Sequence, residues 1–164
     1  MSTLSARAGV DAQGPVTHMR RVADFLDFQT LVRPGSPNTF LLAPEGLCAQ
    51  AEPDEISPVF AEAPEALHDH ILSVLSGVRD TEIVVQDRPG GRIQAVATTD
   101  LMRFKDDMDI QILAVDRGHE DTSNAKSGNP ASQLAIYSRS RVGYSDMGAN
   151  AKRVRSLVKK LGAA

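Results

Sequence analysis

Arg139 and Arg141 alternate along an apolar stretch late in the chain, and Ser145, Asp146 and Asn150 follow closely. Alternate residues of a strand share a face about 7 Å apart. Leu134, Ile136, Ser138, Ser140 and Val142 therefore line one side, and Tyr137, Arg139 and Arg141 the other. Gly143 permits a sharp turn, and Ser145 or Asp146 suits the cap of a following helix. A helix start beside two guanidinium groups is a place where an anion can bind. The structural alternative is that Arg103, Arg139 and Arg141 pair with Asp106, Asp107 or Asp109 across strands and hold a sheet in register.

Other chemistries find less support. Ser145 sits in a stretch close to a nucleophile elbow, but Met147 stands where the elbow needs glycine. His68 and His70 are about 200° apart on a helix, so they cannot chelate one ion together, and each reads as a solvated boundary residue. Asp106, Asp107 and Asp109 lack the glycine and distal glutamate of a calcium loop and read as part of a polar turn. No phosphate-binding glycine loop, dinucleotide fingerprint or paired-cysteine motif occurs, so no cofactor is expected. Cys48 is the only cysteine, which rules out an intrachain disulfide.

The elements that must position these residues follow from periodicity. Residues 1–15 have the composition of a disordered arm, and residues 16–164 read as a single α+β domain. Met19, Val22, Phe25 and Leu26 suggest a short helix, with residues 28–32 extended after it. Prolines and glycines punctuate residues 34–58, leaving room for one short strand at 39–42. Pro64 then opens a helix whose apolar face is Leu67, Ile71, Val74, Leu75 and Val78. Residues 82–86 and 92–99 form a hairpin around Arg88-Pro89-Gly90-Gly91. A strand ending at Phe104, a turn at Lys105-Asp106-Asp107 and an alternating run from Met108 to Ala114 come next. Residues 116–131 read as a long exposed loop, residues 132–142 as the last strand, and Val154, Leu157, Val158 and Leu161 as the stripe of a final helix ended by Gly162. The expected fold is an antiparallel sheet of about four to five strands with helices packed on one face and the other face open.

Composition narrows the function classes. The 164 residues are 41% hydrophobic and 24% charged, ordinary values for a globular chain. No apolar run is long enough to span a bilayer and no signal peptide is recognisable, so a cytoplasmic location is expected. The net charge of -3 hides an asymmetry: residues 45–87 are rich in acids with Arg79 as their single base, whereas residues 139–164 hold seven bases against Asp146. Either the two segments lie near each other or both are solvated. An acidic chain with 4% aromatic residues offers few stacking platforms, which argues against nucleic acid.

Residues 137–154 (YSRSRVGYSDMGANAKRV) resemble the signature of an uncharacterised bacterial family called domain of unknown function 1499. Residues 101–107 (LMRFKDD) and 31–38 (LVRPGSPN) agree with it in order and spacing. The resemblance implies no reaction, because the family has none established. Members of that family often carry a cysteine just after the Ser-Pro-Asn piece; Thr39 stands there in this chain, so no role for a thiol carries over. The candidate ligand-binding residues are Arg103, Arg139, Arg141, Ser145, Asp146 and Asn150. The leading expectation is a non-catalytic module that binds a small anionic or amphipathic ligand, or a protein partner. A hydrolytic or transfer enzyme using Ser145, Asp146 or the aspartates after Phe104, and a structural or assembly protein, are the alternatives. Chemical denaturation of Arg139→Ala and Arg141→Ala separates site from scaffold. Arginines in buried pairs would cost about 3 to 5 kcal/mol on removal, and arginines of an exposed site within about 0.5 kcal/mol.

Overall fold

Side-chain alternation and two helical stripes are enough to assemble a two-sided sheet, and the computed structural model, which describes residues 24–99, 102–115 and 130–162, shows how. Strands β1 (Thr39–Ala43) and β2 (Glu55–Ile56) precede helix α1 (Pro64–Ser76). Strands β3 (Thr81–Asp87), β4 (Arg92–Thr98), β5 (Lys105–Ala114) and β6 (Ser132–Ser140) follow, and helix α2 (Ala149–Lys160) closes the order. The sheet runs β2-β1-β6-β5-β4-β3. All neighbours are antiparallel except β1 and β2, which are parallel. The α+β class is therefore as expected, but the sheet is six-stranded and mixed rather than antiparallel with four to five strands. β2 has only two residues, just after Pro53, too few to carry a period.

Both helices lie on one face. In α1, Leu67, Ile71 and Leu75 are buried against β3 and β5. His68 joins this stripe because it precedes Ile71 by three and Leu75 by seven positions. It is fully buried and neither ring nitrogen has a hydrogen-bond partner among the described residues, contrary to the solvated position expected. In α2, Val154, Leu157 and the following Leu161 pack over β1 and β6. The inward residues Ile93, Ala95, Met108, Ile110, Leu134 and Ile136 complete this core.

The opposite face is not wholly open. Phe28 and Leu31 fold back over Leu41, Ala43, Ala135 and Tyr137, and together with Leu26, Leu47, Cys48 and Ala51 they cover the β1–β6 half. Over β4 the cover thins to Phe25, beneath the Arg92 guanidinium, and Asp24, whose carbonyl accepts from Gln94, and in β3 Val84 is exposed at a β-bulge between Ile83 and Val85.

Local differences have local causes. Lys105, Asp106 and Asp107 belong to β5; the actual turn lies before them, where Thr99 N–H donates to Phe104 O and Phe104 N–H to Thr99 Oγ1. Arg103 sits there at φ 54°, a left-handed conformation that its residue type does not announce. Residues 28–30 form a turn rather than extended chain, and residues 24–27 are not helical. Met19 and Val22, the expected N-terminal arm and nearly all of the expected loop at 116–131 lie outside the described residues. The last strand stops at Ser140, two residues short of the expected end. In the β3–β4 hairpin, Gly91 takes φ 62°, and its carbonyl accepts from Ile112 N–H at 2.8 Å. A Cβ there would lie 2.9 Å from Ile112 O, so only glycine fits.

Candidate functional site

The register of the sheet sets one row across its outer face, Val96, Asp107, Arg139 and Thr39, and beside it a second, Gln94, Asp109, Tyr137 and Leu41. Arg141 lies just past β6 and is tied to β5 by its N–H, which donates to Lys105 O. Its Nε and Nη2 both donate to Asp107 Oδ1, at 2.9 and 2.6 Å. Asp107 in turn holds the Arg141 guanidinium more firmly protonated than usual, chiefly through this hydrogen bond.

Arg139 is engaged differently. Its Nε lies 3.7 Å from Asp107 Oδ2, too far for a hydrogen bond, and its guanidinium makes none among the described residues. Its side chain is 49% exposed. Two recesses meet at it. One, of about 330 Å³, is walled by Leu31, Val32, Pro34, Ser36 and Tyr137. The other, of about 190 Å³, lies between Val84, Gln94, Asp109 and Arg141.

Asp109 forms the floor of the second recess. Burial pushes its carboxyl above the usual range, while the Gln94 amide, donating at 2.8 Å, and the nearby Arg139 charge pull it back. Burial likewise raises the Tyr137 hydroxyl. Arg33 holds the wall of the larger recess in place: it pairs with Asp54 at 2.8 Å and donates to Thr39 Oγ1 and Glu52 O. Sequence reasoning passed over Arg33 and Asn38 as site residues, and weighed Asp109 only as a cross-strand partner, a cation ligand or one of the aspartates of an enzyme. The conspicuous spacing of residues 31–38 was the one signal that this segment meets β6.

Ser145, Asp146 and Asn150 occupy the other side, at the start of α2. The helix begins after Gly148, at φ 79°, and neither Ser145 nor Asp146 is its N-cap residue. Asp146 nevertheless does the capping chemistry from further out, accepting from Gly148 N–H at 3.0 Å and Asn150 N–H at 2.8 Å. Ser145 Oγ accepts from Met147 N–H. The donors at this helix start are thus directed at a carboxylate of the chain itself.

Asn150 is buried and spent on the fold. Its Oδ1 accepts from Ser138 Oγ at 2.6 Å and Arg153 Nη1 at 2.8 Å, and its Nδ2 donates to Asn38 O and Ser140 Oγ. Arg153 also donates to Asp106 Oδ2 at 2.7 Å. Arg103 stands apart, paired with Asp80 at 2.8 Å; this pair holds the Asp80 carboxyl below its usual range. The structure therefore brings Arg139 and Arg141 together on the outer face and leaves Ser145, Asp146, Asn150 and Arg103 elsewhere. Asp106 and Asp107, adjacent in β5, point to opposite faces.

A family profile described as "Protein of unknown function (DUF1499)" matches residues 31–161. The chain belongs to the DUF1499 family. A comparison with curated proteins finds no match. The DUF1499 region opens at Leu31, on the wall of the larger recess, and closes at Leu161, the last buried side chain of the α2 face.

Removing Arg153 leaves the Asp106 carboxylate buried without its cation. Arg153→Ala is expected to cost about 3 to 5 kcal/mol in urea denaturation, against a change within about 0.5 kcal/mol for Arg139→Ala.

Asp109 gives a pH signature. Because its folded pKa is raised, its contribution to stability is fully present below the unfolded value and is lost as pH rises through the folded one. The Asp109→Asn variant lacks this loss. Thermal melts should show its stability rising relative to the parent as pH is raised from the ordinary carboxylate range.

Proposed function

We propose that this DUF1499 protein is a non-catalytic binding module that takes a small anionic or amphipathic ligand on the outer sheet face, with Arg139 making the anion contact. The observation that carries this reading is the Arg139 guanidinium, half-exposed where two recesses meet and without a hydrogen bond among the described residues. A guanidinium offers five donors in a planar fork that matches carboxylate or phosphate. Arg141 adds charge nearby while remaining tied to Asp107. The larger recess brings Leu31, Val32, Pro34 and the Tyr137 ring to the same place, which suits an apolar portion beside the anionic group.

Binding is favoured over hydrolysis or transfer by what the candidate catalytic groups are doing. Ser145 and Asp146 accept from backbone N–H groups, and Asp106 is buried beside Arg153. No nucleophile and base face each other among them, which the chemistry of an activated serine would need.

Native mass spectrometry of the protein purified from its own host tests the proposal. The parent should retain a small anionic molecule, and Arg139→Gln should lose it while unfolding at the same urea concentration. A retained molecule indifferent to Arg139→Gln, or a parent that retains nothing and binds no anion, would overturn the assignment.

A further inference from the structure

Large apolar side chains left in water gather at one end of the sheet. Met102 and Phe104 stand on the turn before β5, and Val142, Tyr144 and Met147 on the loop between β6 and α2. Phe104 is 41% exposed and Met147 98%. The hydrogen bond from Arg141 N–H to Lys105 O carries the β5–β6 ladder one step past its last pair, which sets the turn before β5 and the loop after β6 at the same end of the sheet. Asp100 and Leu101 of this turn lie outside the described residues.

The backbone at these loops is held in conformations that non-glycine residues rarely adopt. Arg103 has φ 54°, Met147 φ 53°, and Asp80, the ion-pair partner of Arg103, φ 58°. Left-handed backbone of this kind persists where surrounding structure enforces it. Here it presents Met147 almost wholly to water.

Basic residues interleave with the apolar ones: Arg103 and Lys105 flank Phe104, Arg141 precedes Val142, and Lys152 lies in the first turns of α2. Among the described residues, the neighbouring acids Asp80 and Asp107 are paired with Arg103 and Arg141, and Asp146 accepts from the helix N–H groups. Lys105 and Lys152 are exposed and form no ion pair among the described residues. The surface thus combines apolar loop tips with two exposed lysines that form no ion pair among the described residues.

We propose that this end of the sheet docks on an anionic lipid bilayer. Lysine is depleted from protein–protein interfaces, whereas apolar and aromatic tips set among bases suit the boundary between headgroups and acyl chains. No helix among the described residues is long and apolar enough to cross a membrane, so the contact is peripheral. Arg141 borders both this surface and the smaller Arg139 recess, whereas Phe104, Tyr144, Met147, Lys105 and Lys152 line neither recess.

Co-sedimentation of the full chain with phosphatidylcholine vesicles, with and without phosphatidylglycerol, tests the proposal. Binding should require phosphatidylglycerol and weaken as salt is added. Each lysine removed should lower the partition about fivefold, so Lys105→Gln with Lys152→Gln should lower it roughly 25-fold. Phe104→Ser, Tyr144→Ser and Met147→Asn together should abolish it, and Arg139→Gln should leave it unchanged. Circular dichroism confirms that each variant is folded. Absence of binding to the anionic vesicles, or binding that survives both sets of substitutions, overturns the proposal. So does a dimer in sedimentation velocity that the apolar substitutions dissolve while vesicle binding persists, which would assign the patch to a second copy of the chain.

Discussion

Asp106 projects from the inner face of β5 with 1% of its side chain in water. A carboxylate in such a place carries a desolvation penalty of several kcal/mol that only a close cation offsets. Arg153 supplies that cation from α2, and the same guanidinium reaches Ser138 and Asn150. The helix can therefore occupy one rotation and one height over the sheet. Asn150 passes the constraint on, because its amide also holds Asn38 O, and the Asn38 amide donates to Gly143 O. Residues 31–38, which wall the larger recess, are thus anchored from the far side of the sheet. The compensation is incomplete, since Asp106 Oδ1 has no partner among the described residues. A partly satisfied buried network is sensitive to any change in its members.

The two faces divide the work between them. The inner face buries Asp106, Ser138, Asn150 and Arg153 in mutual contacts, so their chemistry is consumed by folding, and His68 lies buried there without a hydrogen bond among the described residues. The outer face keeps a loosely held guanidinium beside a desolvated carboxyl and an aromatic ring. The charge asymmetry of the chain is resolved in the same manner. Arg155 of the basic segment reaches Glu55 of the acidic one at 2.6 Å, while Asp69 and Asp80 take Arg88 and Arg103 instead. The segments meet at that contact and where α1 packs on α2, while Arg141 and Arg153 of the basic segment pair with Asp107 and Asp106 of β5.

Periodicity made α1, α2 and the β3–β4 hairpin legible, because each declares itself within a short window. The division of β6 into a face with Ser138 and a face with Arg139 was legible for the same reason. What escaped depends on partners distant in the chain. β2 exists because β1 accepts two residues alongside it, and the turn before β5 exists because Arg103 tolerates a left-handed backbone held by Asp80. His68 was misplaced since a histidine on an apolar stripe looks the same in sequence whether the stripe ends beside it or includes it. The candidate site shared that fate in part. Arg139 and Arg141 could be placed from alternation and Asp146 could be read as a helix cap, but that Asn150 is buried among Ser138, Ser140 and Asn38 could not.

The bulge in β3 has a bearing on how copies of this chain behave at high concentration. β3 is one border of the sheet, and a straight border strand would offer its unpaired N–H and C=O groups to any other strand. The irregularity between Ile83 and Val85 bends that border and breaks its repeat, and Glu82 and Asp87 add like charges along it. The opposite border, β2, is two residues long. Neither side gives an incoming strand a continuous template, so the sheet is protected from growing by addition of further chains along its edges.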